Sequence, residues 1–244
     1  MNNLTRWLVA TLVVLGVVAA GGLWYVFFRP AGPAPVALSS ASPAPAGSIV
    51  GPSLGPGPTK GATMPASAVQ GTWAIDPSAS SFVGYRVQET LAGIGGNTAV
   101  GRTSAVTGTL TLSGTSLTAV SISADLTGLR SDDDRRDSQL HQRGLETDRF
   151  PTATFSLSQP IDLGTLPADS QAIEVTATGQ LTLHGVTKTV QVPLQARIAN
   201  GTIEVAGSVE IQFADYGIVA PTSFIALSVQ DHGTLELHLF FTHA

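Results

Sequence analysis

GQLTLHGVTKTVQVPL, residues 179 to 194, alternates apolar and polar side chains on both sides of a single turn signal. Leu181 and Leu183 precede His184-Gly185, and Val190, Val192 and Leu194 follow it. A period of two places every second side chain on the same face of a strand, so the stretch reads as two strands with one buried face, joined by a tight turn.

The same period extends outward in both directions. Val83, Tyr85 and Val87 alternate with Gly84, Arg86 and Gln88; Val106, Leu110 and Leu112 alternate with threonines. Val120, Ile122, Ala124 and Leu126 follow, then Phe155 with Leu157, and Ile173, Val175 and Ala177. Beyond the opening stretch come Ile203, Val205, Val209, Ile211 and Phe213, and finally Leu235, Leu237, Leu239 and Phe241. Ser113-Gly114 and Asn200-Gly201 mark further turns, the latter being the strongest hairpin signal in the chain. Eight or so strands follow. Both sheet edges need protection, which favours closure into an up-and-down barrel, with a two-sheet sandwich as the alternative. Ser131 to Phe150, SDDDRRDSQLHQRGLETDRF, is too polar for a central strand and reads as a short helix and loop.

The first 70 residues differ in kind. Trp7 to Phe28 is a run of 22 residues without a charge, long enough as a helix to cross a hydrocarbon layer of about 30 Å. Trp7, Trp24 and Tyr25 suit the two interfaces. The competing reading is a cleaved signal peptide ending near Val18-Ala19-Ala20, but the apolar run continues to Phe28. Residues 29 to 70 carry nine of the 15 prolines and, beyond Arg29, a single charge, Lys60. That composition is expected to form a semi-rigid tether, which fully extended would reach on the order of 100 Å. The boundaries expected are an anchor at 1–28, a linker at 29–70 and a barrel domain at 71–244.

Composition excludes several functions. All 17 Asp and Glu but only nine Arg and Lys follow Gly71, a formal charge of −8, which disfavours nucleic acid, whose binding rests on cationic groups. Cysteine is absent, and with it disulfides, thiolate metal sites and cysteine nucleophiles. The acidic cluster around Asp132, Asp133, Asp134 and Asp137 lacks the Gly turn and terminal Glu of a calcium loop, and reads as a solvated loop balanced by neighbouring arginines. His141, His184, His232, His238 and His243 show no zinc spacing, so no metal is expected. No G-x-S-x-G elbow occurs, and Gly93 to Gly96 lacks the Lys of a P-loop. No catalytic residue is expected, and the chain does not read as an enzyme.

Three stretches, WAIDPSASSFVGYRVQE (Trp73 to Glu89), RRDSQLHQRGLETDRFPTATF (Arg135 to Phe155) and the opening GQLTLHGVTKTVQVPL (Gly179 to Leu194), most specifically its Gly179 to Lys188, resemble the YceI-like polyisoprenoid-binding family in order and spacing. The resemblance implies a lipocalin-like, eight-stranded antiparallel barrel around a long apolar cavity that takes isoprenoid quinones or related lipids, in an exported protein. The chain departs from the pattern at Gly144-Leu145 and in the Gly-rich loop from Leu91 to Thr103.

The fold expected is therefore all-β: that barrel with a short helix-loop insertion, behind a transmembrane helix and a Pro-rich linker. The inner face is expected to be Val83, Tyr85, Val87, Leu110, Leu112, Ile122, Phe155, Leu181, Leu183, Val192, Leu194, Val205 and Phe213, mostly medium or small side chains that leave room for a ligand. Arg136 and Asp137 are expected to hold the helix-loop to the barrel, His184 and Gly185 to form a turn, and Trp73 to close one end. No cofactor is required. The partners expected are an apolar isoprenoid or fatty lipid, and the membrane through residues 7–28 with the barrel on the extracytoplasmic side. The alternative is a packed barrel serving as a tethered structural or interaction domain.

Overall fold

The computed structural model describes residues 33–39, 69–93, 95–167, 169–221 and 226–244. The expected membrane segment and most of the linker lie outside the described residues. From Gly71 onward the chain forms a closed antiparallel barrel of eight strand positions with one short helix.

Among the described residues the twelve strands are β1 (Gly71–Ile75), β2 (Phe82–Leu91), β3 (Gly95–Thr103), β4 (Val106–Ser113), β5 (Ser116–Asp125), β6 (Thr152–Leu157), β7 (Ile161–Asp162), β8 (Ile173–Leu183), β9 (Val186–Ala199), β10 (Thr202–Gln212), β11 (Ala226–Val229) and β12 (His232–His243). They fill eight positions because several are halves of one bent rib. β1 and β2 both pair with β12, and β4 and β3 lie beside them in turn. β6 and β7 both pair with β5, and β11 prolongs β12 along β2. Closure comes from β1, whose Trp73 faces Leu110 on one side and His243 on the other.

Two hairpins have the backbone their sequences call for. His184-Gly185 and Asn200-Gly201 each place two successive residues at positive φ, 50° and 74° in the first and 51° and 74° in the second, the geometry that matches strand twist in a two-residue turn. Strand β3 corrects the sequence reading, which had Leu91 to Thr103 as a loop. Its glycines hide the period, yet it pairs with β2 along its whole length. Gly101 is required there because a Cβ would lie 2.3 Å from the Tyr85 ring, which folds over it.

The Ser113 and Asn200 hairpins define one end of the barrel, where Val69, Trp73, Leu166 and Phe241 pack into a buried cluster. Trp73 Nε1 donates to the Val69 carbonyl at 3.0 Å. The opposite, helix end is covered by α1 (Asp134–Gln139), the π-helical turn Leu140–Gly144 and the short turn Phe213–Tyr216, over a second cluster that includes Leu126, Leu129, Leu145, Tyr216 and Ile218. Asp133 caps α1 by accepting from the Arg135 and Arg136 N–H groups.

On the outer wall, Glu204 and Glu236 point away from the core by strand alternation and are nonetheless buried. Glu236 binds Arg86 at 2.8 Å and Arg102 at 2.7 Å; Glu204 binds Arg197 at 2.6 Å and His238 at 2.7 Å. Over these pairs lies part of the linker. Arg86 donates to the Pro33 carbonyl and, at 2.5 Å, to that of Ala34, while Ser39 donates to Glu204 through its N–H at 2.6 Å and its hydroxyl at 2.7 Å. Residues 33–39, expected only as tether, are thus bonded to the barrel.

Burial alone would raise the Glu204 pKa, but the donors from Ser39, His238 and Arg197 outweigh it and hold the carboxyl at about 2. A depressed folded-state pKa stabilises the protein above the ordinary carboxylate range, and this contribution is lost as pH falls from about 4.5 towards 2. Ser39→Ala removes the hydroxyl donor and leaves the backbone N–H in place. The fall in urea midpoint between pH 7 and pH 2.5 is expected to be smaller in that variant than in the parent chain.

Candidate functional site: an apolar cavity inside the barrel

The inward faces of the ribs enclose a cavity of about 330 Å³, within the range of small-molecule sites. All thirteen residues expected on the inner face line it, from Val83 and Tyr85 on β2 to Phe213 after β10. They meet there because each sits at an alternate position of an adjacent rib. Ala124, Ala153, Ala177 and Ala196 supply the space that larger side chains would have filled.

Sequence reasoning missed part of the wall. Leu129, Leu140 and Leu145 reach it from the helix-loop, Leu163 and Leu166 from the segment after β7, and Ile218 and Pro221 from the segment after β10. These lie in stretches without strand period. The wall is almost entirely carbon, so water finds few partners inside.

A group of polar residues stands near the helix end. Glu89 is buried, accepts from Asn97 at 2.6 Å and pairs with Arg136 at 2.8 Å. Arg136 also reaches Asp132 at 2.6 Å, and so joins the helix to β2. Asp137 accepts from the Ser131 N–H at 3.0 Å and from its hydroxyl at 2.7 Å. The Arg136–Glu89 pair fastens the helix-loop to the barrel wall, while the Asp137 contacts, expected to do the same, lie within the helix-loop itself. His184 Nδ1 lies 3.0 Å from the Tyr216 carbonyl oxygen, and the His184 ring meets Phe150 edge-on, beside Gly185. The Tyr85 hydroxyl is buried and has no hydrogen-bond partner among the described residues. Burial, the largest influence, outweighs Arg136 and pushes its pKa up to about 12, so the group stays a neutral donor.

Among the described residues no cluster of His, Asp or Glu could hold a metal ion, and none of their helices is long and apolar enough to cross a membrane.

The YceI-like domain matches residues 73–241. The chain belongs to the YceI-like family. Among solved structures, the YceI-like barrel of this chain is similar to a polyisoprenoid binding domain from Saccharophagus degradans implicated in plant cell wall breakdown. The TM-score is 0.56 at 20% identity, covering 70% of this chain and 98% of that one. It is also similar to BcnA from Burkholderia cenocepacia, with a TM-score of 0.53 at 17% identity, covering 68% and 98%. At such identities the likeness is one of fold. A comparison with curated proteins finds no match.

The Glu89–Arg136 pair predicts a specific cost. Arg136→Ala would leave Glu89 buried without its cation, and thermal or urea denaturation is expected to show a loss of about 3–5 kcal/mol. Glu89→Gln with Arg136→Met should recover much of it.

Proposed function

We propose that the barrel holds a single apolar lipid chain, of the isoprenoid quinone, polyprenyl or long-chain amphiphile type, without chemically changing it. The observation that carries this reading is the cavity. At about 24 cal/mol per Å³, the slope for enclosed cavities left by truncated side chains, an unfilled apolar space of about 330 Å³ weighs at most on the order of 8 kcal/mol against the folded state. That is comparable to the whole stability of an ordinary domain. A packed barrel would have filled the space with larger side chains; this one places alanines there. A lipid chain removes the penalty and gains roughly 0.8 kcal/mol for each methylene taken from water.

Two further points support the class of ligand. The fold is shared with a domain named for polyisoprenoid binding, and the surface of the wall is overwhelmingly carbon. The unpartnered Tyr85 hydroxyl supplies one donor for an acceptor at the ligand's polar end. We place the barrel outside the cytoplasmic membrane, anchored through residues 7–28, because that segment is long and apolar enough to span. The domain's charge of −8 argues against nucleic acid as a partner.

Mild-detergent purification followed by solvent extraction and mass spectrometry is expected to recover about one apolar lipid per chain. Repeated empty spectra, together with no uptake of an offered quinone, would sink the reading. Ala177→Phe puts a ring into the middle of the cavity and is expected to reduce lipid uptake at least tenfold while the barrel stays folded by circular dichroism. Tyr85→Phe is expected to leave the empty protein as stable as the parent or up to about 1 kcal/mol more stable, because it deletes an unpaired buried hydroxyl. The same change should weaken ligands with a carbonyl head more than plain hydrocarbons, read by competition binding.

A further inference from the structure

The large apolar side chains exposed among the described residues are Val219 and Leu227, 73% and 63% accessible. Both stand at the helix end. Val219 lies between Ile218 and Ala220, which line the cavity, and Leu227 lies on β11, which pairs with Leu91, Thr90 and Glu89 at the far tip of β2. The opposite end is packed shut around Trp73 and Phe241. Exposed apolar residues that continue directly into an apolar cavity mark a surface suited to another apolar phase.

The docked linker segment gives this end a direction. Pro33 and Ala34 sit on Arg86 and Arg102, whereas Ser39 sits on Glu204. Along the wall, Arg86 lies opposite Thr234, near the helix-end start of β12, and Glu204 lies opposite Phe240, near its other end. The segment therefore runs from the helix end towards the Trp73 end, so that Pro33 is its residue nearer the helix end. Only residues 29–32 separate Pro33 from Phe28. Fully stretched at about 3.6 Å per residue, the steps from Phe28 to Pro33 span at most about 18 Å.

We propose that the helix-end rim carrying Val219 and Leu227 docks on the lipid bilayer, and that segment 33–39 holds the barrel in that orientation. This rests on the reading of residues 7–28 as a membrane span. Two apolar side chains bind a bilayer weakly on their own, but a short connection to the membrane keeps them at high local concentration beside it. The long tether suggested by composition is then shortened to the few residues between Phe28 and Pro33.

The absence of cysteine makes the test direct. Full-length chains carrying Val219→Cys, Leu227→Cys or, at the opposite end, Ser113→Cys are labelled with an environment-sensitive fluorophore. They are reconstituted into phosphatidylcholine–phosphatidylglycerol vesicles containing brominated lipid. Labels at 219 and 227 are expected to be quenched at least threefold more than the label at 113; equal quenching, or the reverse order, overturns the proposal. Inserting about 20 flexible Gly-Ser residues between Gly32 and Pro33 should bring the ratio towards one, and an unchanged ratio overturns the orienting role of the segment. Lipid extraction from the same samples separates the two readings. Quenching at the rim from protein that carries and accepts no lipid removes the ligand reading alone, while lipid-loaded protein without rim quenching removes the docking.

Discussion

Everything in this molecule depends on the closure made by one five-residue strand. β1 bonds to β4 along one side and to β12 along the other, so the sheet has no free edge at that rib. Its continuation, β2, takes over the pairing with β12 beyond the break at residues 76–81. Closure turns every inward side chain towards the same axis. Without it the alternating leucines and valines would be two faces seeking partners; with it they become the wall of a container.

A closed wall of eight positions can be filled or left hollow, and the choice lies in side-chain volume. Alanine at 124, 153, 177 and 196 leaves the axis open. Tyr85 is accommodated because Gly101 beside it has no Cβ to clash with its ring. The charged groups obey the complementary rule. Glu89, Glu204 and Glu236 are all buried, and each is matched by arginine. A carboxylate left unmatched at such burial would weigh heavily against the fold.

The inner face was legible because period two is a local property: all thirteen residues from Val83 to Phe213 reach the cavity wall. So were the His184-Gly185 and Asn200-Gly201 turns, whose residues specify the backbone by themselves. What could not be read depended on partners distant in sequence. β3 has the glycines of a loop, and only its pairing with β2 makes it a strand. Glu204 and Glu236 alternate outward, as a solvated face would, and nothing local announces that arginines and Ser39 cover them. The linker's Pro, Ala, Gly and Ser carry no period at all, so the docking of residues 33–39 had no signal. Leu140 and Leu145 escaped for a similar reason, being apolar residues in a polar helix-loop.

The cluster of Val69, Trp73, Leu166 and Phe241 plugs one end of the barrel, and that plug has a kinetic meaning. With that end plugged, a guest loads and empties past the covered helix end, along one path traversed in opposite directions. The barrier to release is then the barrier to capture plus the depth of binding, and the two rates cannot be tuned apart by reshaping the mouth. Net movement of a guest through such a vessel is set by what stands outside it, namely the supply on one side and the acceptor on the other.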